Sequence, residues 1–150
     1  MSRVPLYAAY SANLDPHRMG VRAPRSPLWS TGWLEGWRLT FGGGHARPGG
    51  ALPTLVEHPG SSVFVAVYDV CEWDEPHVAG DDEGGSASYA RIRVRVRTLL
   101  DGDATAWAHV LDDYEGGLPT PERLGRLADA AEKAGAPASY IADLLARPTA

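Results

Sequence analysis

The sequence predicts an α+β domain, a mostly β body followed by two helices at the C-terminal end. Three observations carry that prediction. Tyr89-Ala90-Arg91-Ile92-Arg93-Val94-Arg95-Val96-Arg97 alternates strictly, the signature of a strand with one face toward a core. Val63 to Tyr68 is nearly all apolar, as in a central strand. After Thr120-Pro121-Glu122 the period changes: Leu124, Leu127, Ala128 and Ala131 recur at helical spacing.

The remaining elements follow in order. Pro5 to Tyr10 reads as a short strand that runs into a polar loop at Ser11, Asn13 and Asp15. Asp15 is placed to cap a short helix with Pro16 at its first position, extending to about Met19. Leu28 to Phe41 reads as strands whose large aromatics, Trp33, Trp37 and Phe41, form walls of the core. Gly42 to Gly50 is too glycine-rich for a regular element and is expected to be a surface loop. Leu52 to Glu57 and Ser61 to Val70 read as two strands joined by a turn at His58-Pro59-Gly60, the second of them central. An acidic, glycine-rich stretch from Cys71 to Ser88, with a short helix near Asp74, leads into the alternating strand. Ala104 to Leu111 is its antiparallel neighbour across Asp101-Gly102-Asp103. Thr120 caps the first terminal helix and Gly135 ends it; the second runs from about Ala138 to Leu145.

Composition bounds the function. With 150 residues and 44% hydrophobic content there is material for one core, and no linker or repeat divides residues 1–150, so one domain is expected. A net charge of −5 disfavours nucleic-acid binding, because a phosphate backbone attracts a positive field. Arg91, Arg93, Arg95 and Arg97 share one strand face by their period of two, and are read as a solvated face that deters edge pairing. Cys71 is the sole cysteine, so neither an internal disulfide nor a thiolate metal cage can form, which suits a reducing cytoplasm. The five histidines show no metal-ligand spacing, and Gly42-Gly43-Gly44 lacks the Lys and Ser or Thr of a phosphate loop. No apolar run is long enough to span a bilayer and none resembles a signal peptide, so a soluble cytoplasmic protein without membrane or nucleic-acid partners is expected.

The run Tyr7-Ala8-Ala9-Tyr10-Ser11-Ala12-Asn13-Leu14 resembles the Tyr-Gly-Ser-Asn-Leu loop that marks the gamma-glutamylcyclotransferase-like (AIG2-like) family. Gly32 to Phe41, Val63 to Val70 and the tail from Leu118-Pro119-Thr120-Pro121 to Leu144 are similar, in the same order, to the family's later strands and paired terminal helices. The resemblance implies a mixed β-barrel or sheet with flanking helices, and a pocket for a gamma-glutamyl group bound by Tyr10, Ser11, Ala12, Asn13 and Leu14, with Tyr89 lining it. It implies a small-molecule gamma-glutamyl substrate, no metal and no cofactor. The reaction it implies is attack of the substrate's α-amine on its own γ-amide carbonyl, giving 5-oxoproline and a free amine.

Such chemistry asks for positioning first, since both reacting groups belong to one molecule. It then asks for a carboxylate to take a proton from the amine and return one to the leaving nitrogen, and for fixed donors to the oxyanion. In the family the carboxylate is a Glu followed by Gly. Glu83-Gly84 matches by residue type, whereas ungapped counting back from Tyr89 places Asp82 there, so both stand as candidates. The loop also departs from the family, with Ser11 and Ala12 where Gly and Ser are usual. Serine adopts positive φ less readily than glycine, and alanine carries no hydroxyl; backbone donors survive both changes. Those departures define the alternative, a family member that kept the fold and binds a small molecule or partner without turnover.

Overall fold

The computed structural model describes residues 6–43, 50–78, 89–99, 102–111 and 117–149. Five strands close into a barrel: β1 (Leu6–Ala9), β2 (Leu28–Gly42), β3 (Leu52–Tyr68), β4 (Tyr89–Thr98) and β5 (Asp103–Leu111), in the spatial order β1-β3-β2-β4-β5. All neighbours are antiparallel except β1 and β5, which run parallel and complete the ring, with Tyr7 opposite Trp107. Helices α1 (Pro16–Arg22), α2 (Glu75–Val78), α3 (Pro121–Lys133) and α4 (Ala138–Leu145) flank it. The expected α+β class with a mixed barrel and two terminal helices is the observed one.

Val63 to Tyr68 are all buried, as their apolar run requires, because β3 lies between β1 and β2. In β4 the alternation is obeyed: Val94 and Val96 are buried while Arg91, Arg93, Arg95 and Arg97 are exposed. The β4–β5 hairpin turns through Gly102 at φ +70, whose carbonyl accepts from the Thr98 N–H at 3.1 Å. The aromatics of β2 wall the core, as expected, with Phe41 buried and Trp33 and Trp37 half-buried; Trp33 meets Phe64 at 5.3 Å and Tyr140 of α4 at 5.5 Å between ring centres. Both predicted caps form. The Asp15 carboxylate accepts from His17 N–H at 2.9 Å and the Thr120 hydroxyl from Arg123 N–H at 3.2 Å. At the end of α3, Gly135 takes φ +90 and Ala136 N–H returns to Ala131 O at 3.0 Å.

Three boundaries differ from the sequence reading. Helix α1 runs a further turn, to Arg22, whose guanidinium is anchored on Asn13 Oδ1 at 3.1 Å and His77 O at 2.8 Å. Leu28 to Gly42 is one strand rather than several. The expected turn at His58-Pro59-Gly60 does not reverse the chain: β3 continues through it as one 17-residue strand. Both halves of β3 pair with β2, and the register passes from Glu35↔Ser62 to Trp37↔Glu57, so the intervening residues bulge outward. Of the expected Gly42–Gly50 loop, Gly42 ends β2 and Gly50 bridges Pro119, while residues 44–49 lie outside the described residues. Among the described residues, no helix is long and apolar enough to cross a membrane.

Candidate active site

The barrel brings three chain ends to one mouth. β1 leaves there at Ala9 and β5 at Leu111, while β4 enters at Tyr89, paired with Leu111. The parallel β1–β5 pairing and the Tyr10 hydroxyl, which donates to His109 O, fix this arrangement. From the end of β1 the chain makes one 3-10 turn, Ala12–Leu14, closed by Leu14 N–H to Ser11 O at 2.9 Å and Asp15 N–H to Ala12 O at 3.3 Å.

Within this turn the residues divide by role. Tyr10, Asn13 and Leu14 are buried and brace it. Asn13, fully enclosed, donates from Nδ2 to the Tyr7 hydroxyl at 3.1 Å and accepts from Arg22. Tyr68 donates to Leu14 O at 3.4 Å; burial first, then the Asp15 charge, push its phenol well above the usual tyrosine range, so it stays a neutral donor. Ser11 and Ala12 instead line a cleft of about 150 Å3, together with Pro53 and, from α1 and α3, Arg18, Arg123, Arg126 and Asp129. The Ser11 and Ala12 amides make no hydrogen bond among the described residues. Ser11 sits at φ −125, ψ −132, and no described non-glycine residue has positive φ, so position 11 is not in the left-handed region that favours glycine.

The far side of the cleft is held by Arg123. This buried arginine donates through Nη1 to Gly50 O at 2.8 Å and Ala51 O at 3.3 Å, tying α3 to the start of β3. Lys133, near the other end of α3, reaches Asp15 at 3.6 Å and Asp129 at 3.1 Å.

Tyr89 is half-buried where β4 begins, and its ring meets that of His109 at 6.5 Å. Directly paired positions share a sheet face, so His109 lies with Arg91, and Trp107 with Arg93. His109 contacts Tyr7 at 5.9 Å and Trp107 at 4.9 Å, and the Arg91 guanidinium lies 3.8 Å over the Trp107 ring while pairing with Glu75 at 2.7 Å. The arginine face is therefore solvated along most of its length but carries an aromatic patch at this mouth. Burial, then the Arg91 charge, lower the His109 pKa to about 4, against a smaller opposite pull from Glu75. Tyr89, His109, Tyr7 and Asn13 thus form a continuous line of contacts from the entry of β4 to the turn after β1. Asp82 and Glu83 lie outside the described residues.

Two residues at this mouth escaped the sequence reading. His109 could have been found by carrying the alternation of β4 across the hairpin, which sets it opposite Arg91. Arg123 had no local signal, since its partners at Gly50 and Ala51 are remote in sequence.

A closed mixed barrel, a braced polar turn after its first strand and a terminal helix pair whose first member packs on that turn define the gamma-glutamylcyclotransferase-like fold. A solved structure of a gamma-glutamyl cyclotransferase superposes with a TM-score of 0.83 at 26% identity, covering 97% of this chain and 88% of that one. YkqA from Bacillus subtilis shares the fold at a TM-score of 0.75 and 14% identity, over 97% of this chain and 56% of its own. The model of the AIG2-like family matches residues 62–144, and the chain belongs to that family. In sequence it is 25% identical to gamma-glutamylcyclotransferase of Homo sapiens and 26% identical to that of Bos taurus. Each match runs over 139 residues, 90% of this chain and 74% of the relative.

Proposed function

We propose that the protein is a gamma-glutamylcyclotransferase acting in the cytoplasm on a small gamma-glutamyl amine or amino acid. The observation that carries the reading is the turn after β1, where two residues with uncommitted backbone amides, Ser11 and Ala12, line a cleft. The relatives named as gamma-glutamylcyclotransferases, aligned over nine-tenths of the chain, support it.

The substrate folds so that its α-amine meets its γ-carbonyl. The carbon–nitrogen bond of the ring forms, the carbonyl oxygen becomes a tetrahedral oxyanion, and the Ser11 and Ala12 amides stabilise it in place of water. Collapse breaks the original amide bond. The proton lost by the attacking amine goes to a carboxylate and from there to the leaving nitrogen. Asp82 and Glu83, seven and six residues before Tyr89, are the candidates for that carboxylate. A main-chain oxyanion site explains why the chemistry tolerates Ser11 and Ala12.

The test is release of 5-oxoproline from a panel of gamma-glutamyl dipeptides and gamma-glutamylamines by the wild-type protein and by Asp82→Asn and Glu83→Gln. One variant is expected to lose activity by about 100-fold or more while the other keeps most of it. Absence of release from every substrate overturns the reading. Binding of 5-oxoproline without turnover favours the alternative, a family member that retains the site but not the chemistry.

A further inference from the structure

His109 has a hydrogen-bonding capacity that the fold does not use. Its Nδ1 is sealed from solvent and has no partner among the described residues. Nε2 is neither sealed in that way nor bonded among them. A buried N–H left unpaired forfeits about 1–3 kcal/mol, and orphaned buried N–H groups are rarer than under-satisfied acceptors. The single proton of the neutral ring therefore sits on Nε2, leaving a bare lone pair at Nδ1. The ring is kept neutral near pH 7 by burial and by Arg91, which stacks on Trp107 of the same face. What results is a fixed neutral donor in an aromatic patch, beside a cation, at the mouth where the turn after β1 begins.

We infer that His109 is a substrate-contacting residue, its Nε2–H donating to the α-carboxylate of the bound gamma-glutamyl group. The assignment rests on the cyclotransferase reading. A carboxylate is the group chosen by this surrounding, since the Arg91 guanidinium, although paired with Glu75 at 2.7 Å, outweighs that carboxylate at the His109 ring and leaves positive potential that a neutral carbonyl would not exploit. Substrate, transition state and product all keep that carboxylate. The contact is therefore uniform binding, which acts on KM rather than kcat.

The experiment uses the whole chain. His109→Phe is expected to raise KM by about 10- to 100-fold with kcat within about threefold, and His109→Gln, which retains a donor, to recover part of the loss. Titrating 5-oxoproline into protein with 15N-labelled histidine is expected to shift the His109 Nε2 resonance, which starts as the protonated nitrogen of a neutral ring. This second readout does not depend on turnover or on a variant that folds. An unchanged KM in a folded His109→Phe protein overturns the assignment, as does a fall in kcat alone. A 5-oxoproline-induced shift at the Ser11 and Ala12 amides with none at His109 overturns it too and leaves the cyclotransferase reading standing. Neither turnover nor any 5-oxoproline shift overturns both.

Discussion

Replacing Asn13 by alanine tests the brace under the candidate site. The residue is fully enclosed, and its amide links the Tyr7 hydroxyl at 3.1 Å to the Arg22 guanidinium at 3.1 Å. Each intramolecular bond contributes about 0.5–1.5 kcal/mol net, the guanidinium bond somewhat more, and polar atoms left enclosed add to the loss. The sum is about 3 kcal/mol. For a domain of this size that lowers Tm by about 6–12 °C. Urea unfolding of Asn13→Ala, Tyr7→Phe and the double variant separates the Tyr7 share, since phenylalanine keeps the ring contacts with Trp107 at 4.7 Å and Tyr68 at 6.4 Å. A coupling of about 1 kcal/mol is expected. A loss below about 1 kcal/mol for Asn13→Ala, or single effects that add within about 0.3 kcal/mol, would refute the claim that this amide holds the turn.

Gly32→Ala is expected to destabilise by about 2 kcal/mol or more, because a Cβ there would come within 2.9 Å of Thr98 Cα and closer still to Arg97 O. It strikes the β2–β4 seam, which is only two residue pairs long, and an unchanged urea midpoint would contradict that packing. His109 has its pKa lowered in the folded protein from 6.5 to about 4, so the unfolded chain binds the extra proton between those values. Its contribution is complete above pH 6.5 and lost as pH falls toward 4. Allowing for the ring's partial exposure, the contribution is below about 2 kcal/mol; His109→Gln should flatten stability over that window. Asp74 is buried; although burial opposes its ionised form, hydrogen bonds from Ser26 and Arg25 outweigh it and hold its pKa below the ordinary value. Asp74→Asn should therefore lower Tm at neutral pH, with the difference from wild type shrinking as acid takes the carboxylate through its lowered pKa.

What the sequence made legible was whatever neighbouring residues settle among themselves. The caps at Asp15 and Thr120, the glycine that ends α3 and the alternation of β4 are local chemistry, and each is found where expected. The single strand β3 was not legible, because His58-Pro59-Gly60 satisfies every local rule for a turn. Only the pairing of both flanks with β2, a long-range fact, keeps the strand in one direction. The extra turn of α1 has a similar origin, since Arg22 is held by Asn13 and His77 rather than by helix propensity. Around the candidate site, the turn after β1 and the start of β4 at Tyr89 follow from local sequence, whereas the position of His109 needed the hairpin register and that of Arg123 a contact with the start of β3.

The same distinction bears on the departures at Ser11 and Ala12. Among the described residues, the bonds that shape the turn run through main-chain atoms, Asn13, Tyr68 and Tyr10, and not through the side chain of residue 11 or 12. At φ −125 residue 11 also lies outside the left-handed region that favours glycine. The signature is thus two sets of positions. Tyr10, Asn13 and Leu14 are fixed by the barrel beneath them, and the chain matches the family at all three. Ser11 and Ala12 are held through their main-chain carbonyls, their side chains make no hydrogen bond among the described residues, and they are the signature residues that line the cleft. Substitution there leaves the scaffold and its amides intact and alters only the surface offered to a ligand. Under the cyclotransferase reading proposed above, the departures bear on which gamma-glutamyl compound fits, and Asp82 or Glu83 is the carboxylate on which turnover would depend.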